Sequence, residues 1–200
     1  MVYDKIEPLE KYFQRLPKFA REHSERVGYY SKVFADEIYK LQNTFPDIEK
    51  CFLNNIKIIG RYHDIGKIGI SVDIWESDNI LGSEQWEMIR LHPAIGKNII
   101  CKNMDILKNN FEDSDIWNIM SLCCFCHHER WDGKGYPSKL KGEEIPLAAR
   151  IIEIADAYDA MISDRPYHKG ISKEKAKQEI YSCKGTQFDP NLAEIFCSVI

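Results

Sequence analysis

Long apolar runs are missing from this chain. None approaches the ~18 consecutive apolar residues that a membrane-spanning helix needs, so the sequence predicts no such helix. The first residues, MVYDKIEPLEKYF, also lack the apolar stretch of a secretory signal. From both absences we expect a cytoplasmic protein that has no membrane partner.

An excess of basic residues is missing as well. The chain has 27 Lys and Arg against 31 Asp and Glu, which gives a formal net charge of −4. Affinity for duplex nucleic acid depends largely on a basic surface, so we expect no duplex partner. A phosphate-rich ligand would need cations that the residue count leaves out.

Strand-like alternation, internal repeats and interdomain linkers are absent too. Apolar residues instead recur every three or four positions, as in the series Val27, Tyr30, Phe34, Ile38 and Leu41. This spacing predicts amphipathic helices. We therefore expect an all-α protein, a single helical bundle of about seven to nine helices.

The seven cysteines include no pair with the C-x2-C spacing of structural zinc modules. Cys123, Cys124 and Cys126 stand directly before two histidines, which keeps a cysteine-zinc cluster as the less favoured alternative. An odd number of cysteines without an export signal favours free thiols. We expect these three to be small apolar residues on a buried helix.

Several polar residues of the metal-ligand type fall on the apolar faces of predicted helices. His23 lies one turn before Val27, and His63 lies one turn after Ile59. One inward histidine is more often a hydrogen-bonded core residue than a ligand, but convergence of several weakens that interpretation. Imidazole and carboxylate together suit iron, manganese or zinc better than calcium. The candidate ligands are His23, His63, Asp64, His92, His127, His128 and Asp156.

Two motifs then identify a resemblance. Residues 63–67 read HDIGK, and residues 127–137 read HHERWDGKGYP. In this order they resemble the HD-GYP domain, a bacterial phosphodiesterase module of the HD superfamily of metal-dependent phosphohydrolases. Further agreement comes from HPAIG at 92–96, IPLAAR at 145–150, IADAYDAM at 154–161 and SDRPY at 163–167. The resemblance covers about residues 20–195 and implies one HD-GYP domain over residues 1–200, with no separate sensory domain.

The resemblance implies a centre of two divalent metal ions, iron or manganese, with zinc, nickel or magnesium as alternatives. It assigns one ion to His23, His63, Asp64 and Asp156. It assigns the other to His92, His127 and His128, with Asp64 bridging the two. Some family members hold a third ion through a glutamate one turn before the first histidine. This chain has Phe19 there, which cannot bind a metal, so we expect two ions.

The same resemblance implies catalytic roles for Asp64, as the bridge, and for Lys67, as a cation on the phosphate. It places substrate contacts at Gly135, Tyr136, Pro137, Arg165 and His168. The last of these occupies a usually basic position, which leaves the exact substrate open. As alternatives, Gly135 supplies turn geometry, Tyr136 and Pro137 only stiffen their loop, and Asp159 is a helix cap or an acid that orients a ligand.

The function implied is hydrolysis of cyclic di-GMP to linear pGpG, to GMP or to both, by a metal-activated hydroxide. One alternative is a phosphohydrolase for another substrate, such as cyclic GMP-AMP or a nucleotide monoester. Another is a non-catalytic module that binds a diguanylate cyclase of the GGDEF type through the GYP loop.

Two segments depart from the family pattern. Residues 70–82 look irregular and lack the usual lysine-and-glycine run, and the helix that follows them is predicted to have Ser83 as its N-cap. Residues 104–115 are polar, and we favour a solvated insertion there over a flap that covers the site.

Overall fold

Helices dominate the computed structural model, which describes residues 8–40, 50–75, 81–104, 115–164 and 169–200. Within these ranges the extended structure is limited to an isolated bridge between Lys184 and Phe188. The prediction of an all-α protein is confirmed.

The α-helices vary in length from four to 23 residues. In chain order they are α1 Leu9–Arg15, α2 Lys18–Lys40, α3 Lys50–Tyr62, α4 Val72–Trp75, α5 Ser83–Ile89, α6 His92–Lys102, α7 Asp115–Cys126, α8 Leu147–Ile162, α9 Lys173–Ser182 and α10 Pro190–Val199. Short 3-10 helices cover Ile65–Gly69 and Gly142–Glu144. Leaving out the four-residue α4, the described ranges hold nine α-helices, which agrees with the predicted number.

The close crossing of α2 and α3 sets one side of the site. A Cβ on Gly28 of α2 would collide with the Lys57 carbonyl of α3, and Gly60 of α3 lies against Gly28. Because both residues are glycines, the two backbones can approach closely. As a result, His23 and His63 meet at one end of the pair, with ring centroids 5.7 Å apart.

The 3-10 helix after α3 packs just as tightly on the start of α6. A Cβ on Gly66 would collide with the His92 carbonyl and the Gly96 amide. Cys124 of α7 also lies against Gly96, where a Cβ would come within 3.5 Å of the Cys124 Cβ. This packing brings Asp64, the start of α6 and the end of α7 together.

The segment that leads to α5 is partly helical. Residues 70–82 are not wholly irregular, since they contain α4, and residues 76–80 lie outside the described ranges. Helix α5 begins at Ser83, so its N-cap is Gly82, whose N–H donates to Gln85 Oε1 at 2.9 Å. Most of the predicted insertion, residues 105–114, lies outside the described ranges.

None of the helices in the described ranges combines the length and apolar character needed to cross a membrane.

Candidate metal centre

All seven predicted ligands lie in one cluster, supplied by five parts of the fold. His23 comes from the second turn of α2, and Asp156 comes from α8. The others stand at helix ends, where side chains project towards the cluster. His63 and Asp64 follow α3, His92 begins α6, and His127 and His128 follow α7.

One group of donor atoms surrounds His92. Its Nε2 lies 3.2 Å from Asp64 Oδ1, 3.3 Å from His127 Nε2 and 3.2 Å from His128 Nε2. The four residues each offer a ligand atom within 4.8 Å of the others. This is the set that the resemblance assigns to one ion.

A second group lies beside the first and shares Asp64 with it. His23, His63 and Asp64 offer ligand atoms within 4.8 Å of one another. Asp156 Oδ1 lies 2.9 Å from His23 Nε2 and 3.9 Å from His63 Nε2. Asp64 therefore belongs to both groups.

Backbone carbonyls fix the orientation of three of these imidazoles. A carbonyl can only accept, so each Nδ1 that contacts one carries the ring proton, and Nε2 is left with a lone pair. In all three rings Nε2 points into the cluster. The donor–acceptor pairs are His63 Nδ1 to Gly60 O at 2.6 Å, His92 Nδ1 to Ile89 O at 2.7 Å, and His127 Nδ1 to Cys124 O at 2.9 Å.

This arrangement fits a bound cation. The buried atoms His63 Nε2 and Asp64 Oδ1 make no hydrogen bond within the described ranges, and such atoms are costly to bury. The lone pairs of His92 and His127 face each other across 3.3 Å, where they repel unless a positive charge lies between them. A set of imidazoles and carboxylates suits iron, manganese or zinc.

The protonation states agree with that fit. Burial opposes ionisation of Asp64, but Lys67 and His63 hold the pKa of this carboxyl well below its usual value. Burial lowers the pKa of His128 strongly, with His127 and His92 adding to the effect. The pKa of His127 is lowered mainly by burial too. Ionised carboxylate and neutral imidazole are the forms that bind metals.

Asp159 contacts the ring nitrogen of His23 that faces away from the cluster. Burial alone would lower the pKa of His23, but its hydrogen bonds to Asp156 and Asp159 raise it. Asp159 Oδ2 lies 2.7 Å from His23 Nδ1, which turns Nε2 towards the cluster. Arg26 donates two hydrogen bonds to the same carboxylate, from Nε at 2.6 Å and from Nη2 at 2.9 Å. The contact between the two side chains agrees with the interpretation of Asp159 as an acid that orients His23. Arg26 was not predicted, although its place three residues after His23 on α2 was a usable signal.

Lys67 lies beside the cluster and against an aromatic ring. Its Nζ is 2.5 Å from Asp64 Oδ2 and 4.7 Å from the centroid of the Trp75 ring. The ammonium is therefore at the cluster, not out in solvent.

A buried carboxylate accepts hydrogen bonds from the backbone of the loop of residues 129–140. Glu129 is fully buried and accepts the backbone N–H groups of Ser138 at 2.6 Å and Leu140 at 3.1 Å. No role was predicted for Glu129, although it lies within the GYP motif. Its two hydrogen bonds fix the path of the loop.

Tyr136 reaches the cluster through this loop. Its N–H donates to the His128 carbonyl at 3.1 Å, and its ring stacks on the His128 ring at 4.9 Å and 23°. A Cβ on Gly135 would collide with the backbone of residues 128–130, so this close return needs glycine. Pro137 follows a cis peptide bond and is exposed. Arg90, which was not predicted, places its guanidinium 5.5 Å from the Tyr136 ring centroid.

The remaining predicted substrate residues, Arg165 and His168, lie outside the described ranges. The three cysteines that precede His127 are free and buried, and burial raises the pKa of each. They pack as apolar residues, as predicted.

Comparison with known families decides the assignment. The family model described as "HD domain" matches residues 46–192. The chain belongs to the HD domain family. Its HDIGK motif, which contains His63 and Asp64, lies within the matched range.

The HD-GYP resemblance is confirmed by curated relatives. A cyclic di-GMP phosphodiesterase of Thermotoga maritima is 36% identical over 174 residues, which cover 87% of this chain and 43% of that protein. A 3'3'-cGAMP-specific phosphodiesterase 2 of Vibrio cholerae is 30% identical, over 86% of this chain and 30% of that protein. This HD domain therefore spans less than half the length of either relative.

Solved structures agree on the fold. An HDG"Y"P protein from Bdellovibrio bacteriovorus superposes with a TM-score of 0.63 at 17% identity, over 90% of this chain and 52% of the other. The HD domain of the L. monocytogenes phosphodiesterase PgpH gives 0.59 at 15% identity, over 96% and 94%.

Proposed function

We propose that this HD domain is a metal-dependent phosphodiesterase that hydrolyses cyclic di-GMP to linear pGpG, to GMP or to both. The observation that carries the proposal is the double group of ligand atoms with Asp64 shared between them. The names of relatives over most of the chain support the substrate class.

Two divalent ions, iron or manganese, fit this centre best. One would be held by His23, His63, Asp64 and Asp156, and the other by His92, His127, His128 and Asp64. When bound, such ions lower the pKa of a shared water towards ~7 and neutralise charge on the phosphate. Phe19, at the position of a third-ion ligand in some relatives, offers no donor atom, which supports two ions.

The residues of the chain hold and orient the phosphodiester. Asp64 keeps its two oxygens directed at the two ligand groups, while Lys67 lies beside Oδ2. We infer that the Lys67 ammonium donates to a non-bridging phosphate oxygen, where negative charge grows in the transition state. Hydroxide adds to phosphorus as the bond to the 3′ oxygen breaks, and that oxygen takes a proton from solvent water, so that the net reaction consumes one water.

Tyr136 and the residues near it form the proposed substrate side. The Tyr136 ring offers an apolar face to a nucleobase or ribose, and Gly135 and Pro137 shape its loop. Arg165 and His168 are proposed to contact phosphate or guanine, following the family resemblance alone. Arg90 adds a positive charge near the Tyr136 ring.

Cyclic GMP-AMP is the second candidate substrate. A relative from Vibrio cholerae carries that specificity in its name at 30% identity. The histidine at position 168, where the family usually has a basic residue, also leaves guanine preference open. Docking of a diguanylate cyclase through the GYP loop and a cytoplasmic location stay predictions.

The test combines metal counting with product analysis. Protein purified anaerobically is expected to hold about two Fe or Mn per chain. It should convert cyclic di-GMP to a linear product that chromatography separates, and parallel incubation with cyclic GMP-AMP ranks the two substrates. Binding of both nucleotides without any linear product, at full metal occupancy, would contradict the enzymatic function.

A pair of aspartate variants provides the control. Asp64→Ala should lose metal and turnover together, because it removes a ligand from both groups. Asp73→Ala removes an exposed carboxylate on α4 and should retain both. Full activity in the Asp64 variant would show that the proposed site is wrong.

A further inference from the structure

A second aromatic side chain lies at the metal cluster, on the His92 side. The Trp75 ring is 5.9 Å from the His92 ring, at an interplanar angle of 77°. The His92 and His128 rings are 5.0 Å apart, and Tyr136 stacks on the latter. Two aromatic rings therefore flank one pair of proposed ligands.

Lys67 connects Trp75 with the phosphate position. Its ammonium lies over the indole ring at 4.7 Å while it also contacts Asp64. A phosphate held at Lys67 is thus next to the indole, and in a nucleotide the base is joined to the phosphate through one ribose. Trp75 is only half-buried, so part of its surface is open to solvent.

We propose that Trp75 is a stacking surface for one nucleobase of the cyclic dinucleotide, with Tyr136 serving the other side of the site. The inference rests on the proposed function, because it takes a cyclic dinucleotide as the ligand. It adds a substrate-binding residue from the segment where the sequence departs from the family pattern. Stacking accepts any base but rewards the larger ring system of a purine.

The first test compares Trp75→Leu with Trp86→Leu. Trp86 lies on α5 with half of its surface exposed, so the same substitution there is a matched control. Loss of one base stack should raise KM and Kd for cyclic di-GMP about tenfold, with kcat within about twofold. The rise should be smaller for cyclic di-UMP, whose single-ring bases stack less. The Trp86 variant should match the wild type.

Fluorescence gives a second test that needs only a conservative change. Base stacking quenches indole emission, so cyclic di-GMP should reduce the emission of the wild type. Trp75→Phe leaves the other three tryptophans in place and should lose most of that quenching. Equal quenching in both proteins would overturn the proposal even where the leucine variant fails to fold.

The outcomes separate this inference from the enzymatic function. If kcat falls while KM and Kd stay unchanged, Trp75 only positions Lys67, and the stacking proposal is wrong. If the metal-loaded wild type binds cyclic di-GMP without hydrolysing it, the enzymatic function fails, and the Kd of the variants still decides the role of Trp75. If it neither binds nor hydrolyses the nucleotide, both are overturned.

Discussion

At the scale of single residues, Asp64 is the residue that the two groups of ligand atoms share. Its Oδ1 faces His92 at 3.2 Å and His127 at 3.6 Å, while its Oδ2 faces His63 at 3.4 Å and Lys67 at 2.5 Å. A carboxylate shared in this way links metal binding to phosphate binding. Replacing it should therefore affect both.

Lys67→Met separates the two roles. The methionine keeps an unbranched chain but removes the ammonium, so we expect kcat to fall about 10²- to 10³-fold while metal content is unchanged. Steady-state kinetics and metal analysis check this. Lys57→Met, on the exposed face of α3, should behave as wild type. A Lys67 variant with normal kcat would remove Lys67 from the mechanism.

Ligand residues were easier to predict from sequence than their supporting partners. His23 and His63 fall in register with apolar neighbours. Four stretches that match the family pattern supply the rest of the set, HDIGK with Asp64, HPAIG with His92, HHERWDGKGYP with His127 and His128, and IADAYDAM with Asp156. The partner of His23, by contrast, is Asp159, which is 136 positions away in sequence. Nothing local in the sequence specifies such a pairing, because it depends on how α2 packs against α8.

At the scale of elements, a single carboxylate holds the loop that carries Tyr136. Glu129→Gln replaces one acceptor oxygen by an N–H donor that faces a backbone N–H. We expect a loss of about 1–3 kcal/mol in the free energy of unfolding and a higher KM for cyclic di-GMP. Urea unfolding and kinetics measure the two effects. Glu143→Gln is an exposed change in the 3-10 helix that follows this loop, and it should alter neither the stability nor the KM. Equal behaviour of the two variants would count against the role of Glu129 in holding the loop.

The link between α1 and α3 predicts a pH-dependent contribution to stability. Chiefly through its hydrogen bond to Arg61, the pKa of Glu10 is lowered to about 2 from 4.5. A lowered pKa in the folded state stabilises the protein above pH 4.5, and the effect disappears as the pH falls towards 2. Because this pair is half-exposed, Glu10→Gln should cost only about 0.5–1 kcal/mol at pH 7.

Denaturant unfolding at pH 7 and pH 3 tests this link. The difference between wild type and Glu10→Gln should fall by roughly half at pH 3, because the contribution is lost between the unfolded pKa of 4.5 and the folded pKa of about 2. A difference that is equal at both pH values would show that the ion pair is not its source.

Periodicity predicted the long helices but missed short features. Helix α4 has four residues, about one turn, which is too short for a periodic pattern to show. Ser83 has the right residue type for an N-cap, but it is the first residue of α5. The N-cap is Gly82, whose N–H donates to Gln85 Oε1. Tertiary packing of Gly66 on α6 was likewise invisible in the sequence.

At the scale of the whole molecule, the cluster concentrates lone pairs and negative charge that bound cations would offset. The apoprotein carries a formal charge of −4, which two divalent ions would balance. Ions that bind only the folded state stabilise it by mass action.

The fold class could be predicted from sequence because helical periodicity runs through the chain.

Removing the metal should therefore destabilise the protein. At an ion concentration about 100 times Kd, the stabilisation is about 2.7 kcal/mol, so a chelator should lower Tm by roughly 5–10 °C. Calorimetry before and after chelation measures the shift, and added Mn²⁺ should restore it. A Tm that is insensitive to the chelator, in protein shown to have lost its metal, would contradict a structural contribution from the ions.

Anomalous X-ray diffraction from crystals of the metal-loaded protein, recorded at the absorption edge of the bound metal, would locate the ions themselves. Two peaks are expected a few ångströms apart, one beside His23 and His63 and one beside His92 and His127, with Asp64 in contact with both. A single peak, or peaks away from Asp64, would contradict a centre of two ions that share this carboxylate.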